Sequence, residues 1–297
     1  MSELAPSTVS SLRDAGLDPS AVVRFVRGAL DEDLDGGEDL TSVATIGPES
    51  ISVADFVVRG RGVVAGLPVL HATIDCTLGH DAIDTLVSDG DRVDRGTIVG
   101  TVRAQTIALL TVERTALNIL CRLSGVATHT RLWVDALAGT NTRVRDTRKT
   151  TPGMRDLEKY AVRCGGGVNH RRGLSDAVLI KDNHVLAAGG VGAALDAVQR
   201  RFGNRDLVVQ TEIDRLDQLD EALDHGATQI LLDNMSVAEM GLAVGRVRAR
   251  RPGVLLEASG GLTLANAAEV AATGVDFIAV GALTHSSPIL DIALDFR

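Results

Sequence analysis

Residues 207–234 read LVVQTEIDRLDQLDEALDHGATQILLDN, and the order of residue types in them decides the fold class. A β-branched run, LVVQTEI (207–213), gives way to RLDQLDEALDHG, which has helical spacing and ends in Gly226, a residue suited to a helix C-terminus. A second apolar run, QILLDN (229–234), follows at once. Strand, helix and strand in so short a span make a βα unit of a parallel sheet. Similar runs lie on both sides: TRVRDT (142–147), AVLIKD (177–182), VLLEAS (254–259) and DFIAVG (276–281). From AVLIKD onward their centres lie about 20 to 30 residues apart, as parallel βα repeats require. TLANAAEVAATG is another of the intervening helices, again closed by a glycine. Six such repeats predict a barrel-like α/β domain, with a doubly wound open sheet as the alternative.

The first third of the chain is mixed. Residues 20–34 have helical periodicity. ISVADFVVRGRGVVAGLPVL alternates and is broken by Gly60, Gly62 and Gly66, which reads as strands joined by tight turns; VSDGDRVDRGTIVGTVRA reads likewise. Residues 107–122 predict an amphipathic helix, and SGVATHTRLWVDALAG predicts a second one after Gly125. At the far end PILDIALDF alternates again and is expected to pack on the first domain.

The composition narrows the function. Of 297 residues 45% are hydrophobic and only 2% aromatic, a palette of Ala, Val, Leu and Ile suited to buried parallel strands. A formal charge of -9 argues against a nucleic-acid partner, and no apolar run is long enough to cross a membrane. Cys76, Cys121 and Cys164 are odd in number and scattered, giving neither a disulfide framework nor a zinc pattern. The opening MSELAPSTVSSLRDAG has no secretory character, so a cytoplasmic, reducing setting is expected.

Against this acidic background one segment stands out. From Arg143 to Lys181 there are ten Lys or Arg against four Asp or Glu, and all three lysines of the chain, Lys149, Lys159 and Lys181, fall within it. Parallel α/β folds collect chemistry at the carboxyl ends of their strands. Those ends are polar here: Asp146, Arg148 and Lys149; Lys181 to His184; Glu212; Asp233 and Asn234; Glu257 and Ser259; then Gly281. The turns at 259–261 and 280–282 are small and glycine-containing, as phosphate cradles are. Neither a Walker A motif nor a GxGxxG after a strand is present. These residues suit a substrate with several negative charges, one part phosphorylated. Two readings stay open at this level: phosphoribosyl transfer to an acidic acceptor, or Schiff-base chemistry at Lys181.

The block DTRKTTPGMRDLEKYAVRCGGGVNHRRGLSDAVLIKDNH resembles the signature of the quinolinate phosphoribosyltransferase family, the decarboxylating nicotinate-nucleotide pyrophosphorylases. GEDLTS (37–42), GVVAGL (62–67), ERTALNILCRLSGVAT (113–128), LLDN (231–234), SGGL (259–262) and VGALTHS (280–286) extend the likeness over nearly the whole chain. The resemblance implies an N-terminal α/β sandwich domain (1–123) and an incomplete, open α/β barrel domain (124–283), with the tail 284–297 returning to the first. It implies transfer of phosphoribose from 5-phosphoribosyl-1-pyrophosphate to quinolinate with Mg²⁺, in de novo NAD synthesis. It also implies a homodimer, compatible with higher assembly, that shares active sites.

The residue roles that the resemblance implies are as follows. Arg114 of the neighbouring subunit, with Thr147, Arg148, His170 and Arg171, binds quinolinate. Lys149, Lys181, Glu212 and Asp233 are the catalytic set and also contact phosphoribosyl pyrophosphate, with Mg²⁺ near the two acids. Ser259, Gly260, Gly261, Val280, Gly281 and Ala282 hold the 5-phosphate. The chain departs from the pattern at Gln210, where an acid is common, and at Ala258, where a serine is common. Arg143 and Arg145 read as structural or rim charges, and Cys121, His129 and His285 as structural.

Overall fold

A computed structural model describes residues 4–80 and 82–297. They form two compact units. The first comprises the described residues up to Arg131, with Thr150–Gly166 and Leu283–Arg297; the second comprises Leu132–Lys149 and Gly167–Ala282.

In chain order the first elements are α1 (Pro6–Asp14), α2 (Pro19–Leu34), α3 (Leu40–Thr45), β1 (Ile51–Val58) and β2 (Gly62–Val63). Next come α4 (Leu67–Thr77), β3 (Ile83–Thr85), β4 (Arg92–Val93), β5 (Ile98–Gln105) and α5 (Thr106–Ala136). Helix α2 shows how little is needed to place an element. Asp18 caps its first turn by accepting from the Ser20 N–H, and Val22, Val26 and Leu30 bury one stripe.

The alternating runs become β1, β2, β4 and β5, but LPVL at 67–70 opens a helix instead of extending a strand. The reason is local. Gly66 sits at φ +110° before α4, and Pro68 occupies the first turn, where its fixed φ suits a helix.

A larger departure is α5, one 31-residue helix in which Gly125 makes no break. An interior glycine costs a helix only about 1 kcal/mol, which packing can offset. Gly125 has a packing task, because a Cβ there would run into the carbonyl of Pro288. The expected domain boundary at 123/124 therefore falls inside a continuous helix.

The tail returns to the first unit. Strand β12 (Ile292–Phe296) pairs antiparallel with β1, from Ala54 opposite Phe296 to Val58 opposite Ile292, in a sheet ordered β12-β1-β5-β3. Beyond it Arg297 grips the Asp55 carboxylate with Nε at 2.7 Å and Nη2 at 2.6 Å.

The second unit opens with β6 (Arg143–Arg145), and α6 (Arg155–Cys164) follows it in sequence while clustering with the first unit. Then β7 (Ala177–Ile180), α7 (Asp182–Ala188), α8 (Val191–Phe202), β8 (Val208–Ile213), α9 (Leu216–Asp224) and β9 (Gln229–Asp233) succeed one another. The series closes with α10 (Val237–Arg250), β10 (Leu255–Ser259), α11 (Ala267–Ala272), β11 (Phe277–Ala279) and α12 (Ala282–His285).

All six expected strands form. They pair in parallel in the order β6-β11-β10-β9-β8-β7, leaving β6 and β7 at the two edges of an open, barrel-like sheet. Ile230, Leu232, Leu256 and Ile278 are fully buried, as apolar parallel strands covered by helices should be. Gly226 and Gly274 follow α9 and α11 at φ +80° and +90°, the left-handed closure that only glycine adopts without strain. With parallel strands in register, the carboxyl ends fall together, and the site is built there.

Candidate active site

The basic stretch after β6 is shaped by two short-range bonds. Thr147 Oγ1 accepts from the Lys149 N–H at 3.0 Å, turning the chain at Arg148. Asp146, fully buried, accepts from the His170 N–H at 2.8 Å and from Asn169 Nδ2 at 2.5 Å. Main-chain bonds between Val168 and both Val144 and Asp146 lay the 168–171 segment along the outer side of β6. Arg171 is thereby brought close to Arg148.

The electrostatics of that pair are informative. Burial first, and the neighbouring Arg148 charge second, hold the Arg171 guanidinium below its ordinary pKa. Nε of each arginine is buried and makes no hydrogen bond. Arg171 spends one Nη1 bond on the Ala177 carbonyl at 3.1 Å. Asp176 attracts Arg171 only as the third influence on it. Two guanidiniums held together with no carboxylate in salt-bridge contact among the described residues are favoured by an anion with two negative groups.

A second group lies at the ends of β7 to β10. Lys181, half-exposed just past β7, pairs with Glu212 of β8 at 3.0 Å. Asp233 ends β9 in register with Ser259 of β10. Between them Asn234 takes a left-handed conformation, φ +54°, which Asn tolerates better than most residues. Its Nδ2 donates to Asp233 Oδ2 at 2.7 Å, and its N–H donates to the Ser259 carbonyl at 2.9 Å. Gly260 is glycine for a steric reason: a Cβ would collide with the Asn234 side-chain amide. A cleft of about 650 Å³ opens here, lined by Glu212, Asp233 and Asn234 with Asp182, Arg215 and Gln218. Val280, Gly281 and Ala282 follow β11, where the Val280 N–H continues the sheet by donating to the Arg145 carbonyl at 2.9 Å.

The structure thus brings Arg148 to Arg171, Lys181 to Glu212, and Asp233 to Asn234, Ser259 and Gly260. Arg114 is exposed on α5, in the first unit. Two polar strand-end residues leave the rim. Asp146 is buried as described, and Glu257, 1% exposed, pairs with Arg145 at 2.7 Å beneath a stack of Arg145 on Phe277. Arg145 is structural, as expected. Residues outside the expected site also contact it directly, among them Asn234, and Gln210, whose Oε1 meets His170 Nε2 at 2.8 Å. A non-glycine residue that must turn left-handed after a strand was the available signal for Asn234. No sequence pattern announces the partner of Gln210, which is 40 residues distant.

Known proteins share the sequence and the fold. The chain matches the quinolinate phosphoribosyl transferase N-terminal domain over residues 39–124 and the C-terminal domain over residues 126–295. It is 52% identical to a nicotinate-nucleotide pyrophosphorylase (carboxylating) of Mycobacterium leprae, over 91% of this chain and 95% of that protein. A probable enzyme of the same name from Synechocystis is 41% identical over 89% of each chain. Among solved structures, the nicotinate-nucleotide pyrophosphorylase from Francisella tularensis superposes with a TM-score of 0.88 at 35% identity, covering 95% of this chain and 98% of that one. With both domain models matched in order across an open parallel barrel and its antiparallel companion, the chain belongs to the quinolinate phosphoribosyl transferase family.

Proposed function

We propose that the protein transfers phosphoribose from 5-phosphoribosyl-1-pyrophosphate to quinolinate, releasing pyrophosphate and CO₂ and leaving nicotinate mononucleotide for NAD synthesis. The observation that carries this reading is the pair of adjacent, partly buried arginines, Arg148 and Arg171, whose mutual repulsion an adjacent dicarboxylate would relieve. Thr147 lies next to them in sequence, and Lys149 and Lys181 supply further positive charge for quinolinate and pyrophosphate.

The chemistry asks mainly for positioning and electrostatics. As the bond from C1 of ribose to pyrophosphate breaks, its electron pair leaves with pyrophosphate and positive charge grows on the sugar. Glu212 and Asp233, held by Lys181 and Asn234, face that charge and the ribose hydroxyls. The ring nitrogen of quinolinate then gives its lone pair to C1. The alkylated ring becomes an electron sink, so the bond to the adjacent carboxylate breaks into the ring, CO₂ departs, and a proton from solvent replaces it. The turns Ser259–Gly261 and Val280–Ala282 are assigned to the 5-phosphate.

The donor set also fits Mg²⁺ in one particular way. No group of three His, Cys, Asp or Glu stands together among the described residues. Mg²⁺ commonly binds through one or two carboxylates plus substrate phosphates and water, and Glu212 and Asp233 are the carboxylates in place for that. Bound so, the ion would neutralise charge developing on the leaving pyrophosphate.

We further propose a homodimer, open to higher assembly, in which Arg114 of the partner subunit completes the quinolinate site. Arg114 is exposed on a long helix and has no ion-pair partner among the described residues, which supports an intermolecular role. Arg114→Ala and Lys149→Ala proteins, each inactive, are expected to recover roughly a quarter of the wild-type activity when subunits exchange, the statistical share of intact sites. Mixed dimers that stay inactive would overturn the shared site. A reducing cytoplasm suits the three cysteines, all of which are free thiols.

The reading is tested by mixing protein, Mg²⁺ and phosphoribosyl pyrophosphate with quinolinate or with nicotinate. Mononucleotide and CO₂ are expected in equal amounts from quinolinate. Product from nicotinate alone would overturn it.

A further inference from the structure

His170 is held by both of its ring nitrogens. Its Nδ1 accepts from the main-chain N–H of Arg171 at 2.7 Å. A peptide N–H only donates, so Nδ1 carries no proton and the proton resides on Nε2. Nε2 lies 2.8 Å from Oε1 of Gln210, which is 2% exposed. A carboxylate oxygen, Glu257 Oε1, lies farther off at 3.6 Å, beyond hydrogen-bond distance, and the other oxygen of Glu257 is taken by Arg145 at 2.7 Å. The amide of Gln210 is therefore the acceptor. Asp146 adds the last restraint by accepting from the His170 main-chain N–H at 2.8 Å.

We infer that Gln210 is a positioning residue for quinolinate binding: it holds His170 in the Nε2–H tautomer, and Nδ1 of that ring fixes the Arg171 backbone beside Arg148. The inference rests on the reading that Arg148 and Arg171 receive the two carboxylates. It also reassigns His170. With both ring nitrogens committed inside the chain, His170 acts on quinolinate through Arg171 instead of donating to it.

The test combines a spectrum with kinetics on the full chain. Long-range ¹H–¹⁵N spectra of histidine-labelled protein, with the His170 signals assigned by H170N, report which ring nitrogen is protonated. Wild type is expected to show a bare Nδ1 and a protonated Nε2. In Q210L the Nε2 proton loses its acceptor, so the two tautomers mix. A buried donor left without a partner costs enough to raise KM for quinolinate about tenfold, while KM for phosphoribosyl pyrophosphate stays within about twofold. Q210E restores an acceptor at the same reach and should recover both the single tautomer and most of the quinolinate KM. The proposal is overturned by an Nδ1–H tautomer in wild type, by an unchanged quinolinate KM in Q210L, or by equal rises in both KM values. If wild type fails to turn over quinolinate, the functional reading falls, and the spectra alone decide whether Gln210 holds His170.

Discussion

Arg148→Ala is expected to lower kcat/KM for quinolinate by roughly a hundredfold or more, the cost of removing one partner from a desolvated, charge-assisted pair. A planar fork, not charge alone, is what a carboxylate recognises. Arg148→Lys should therefore fall between alanine and wild type. KM for phosphoribosyl pyrophosphate should move much less, because Lys149 and Lys181, assigned to its pyrophosphate, and the residues after β8 to β11 assigned to its ribose and 5-phosphate all remain in place. The same variant is expected to be no less stable than wild type. Burial first and the Arg148 charge second depress the Arg171 pKa, and Arg148 has no ion-pair partner among the described residues, so its loss relieves like-charge repulsion in the folded state. Steady-state kinetics on both substrates and a urea titration check the two halves together. Lost activity with lowered stability would mean that Arg148 holds the fold, and the assignment would fail.

The parts legible in the sequence are those written in short-range patterns. Each parallel strand is an apolar run a few residues long, bounded by helical stretches and closing glycines. All six runs became strands within a residue or three of where composition put them. Their polar endings, Lys181, Glu212 and Asp233 among them, followed from the parallel arrangement alone. What the sequence could not show depends on contacts between distant segments. Gly125 looks like a helix break until Pro288, 163 positions later, is found against it. Glu257 looks like a rim acid until Arg145, 112 positions earlier, claims it. The segment 150–166 reads as part of the barrel because it lies between β6 and β7, yet it clusters with the first unit. Gln210 reads as a lost acid until its amide is seen under His170. In every case a local signal was present, and a long-range partner decided its meaning.

Glu158 and Arg122 give the second large effect, on stability. Glu158 is fully buried on α6. Its carboxylate accepts from Arg122 Nη2 at 2.6 Å and Nε at 3.2 Å, from the Thr151 N–H at 3.0 Å and from Thr151 Oγ1 at 2.8 Å. Arg122 in turn donates to the carbonyls of Ser287, at 3.0 Å, and Thr284. One ion pair thus ties α5, the 150–166 segment and the C-terminal segment, all parts of the first unit that are remote in sequence. Arg122→Ala would strand a buried carboxylate and release two carbonyls, so a loss of about 3–5 kcal/mol is expected, a large fraction of the stability of such a unit. Glu158→Gln removes the charge and keeps an acceptor for Thr151. The double variant Arg122→Ala, Glu158→Gln should therefore be more stable than Arg122→Ala alone by about 1–3 kcal/mol. Urea midpoints at equal m-values measure both numbers. Should the double variant lose the sum of the two single losses, the pair is not coupled, and Arg122 acts only through the carbonyls of the tail.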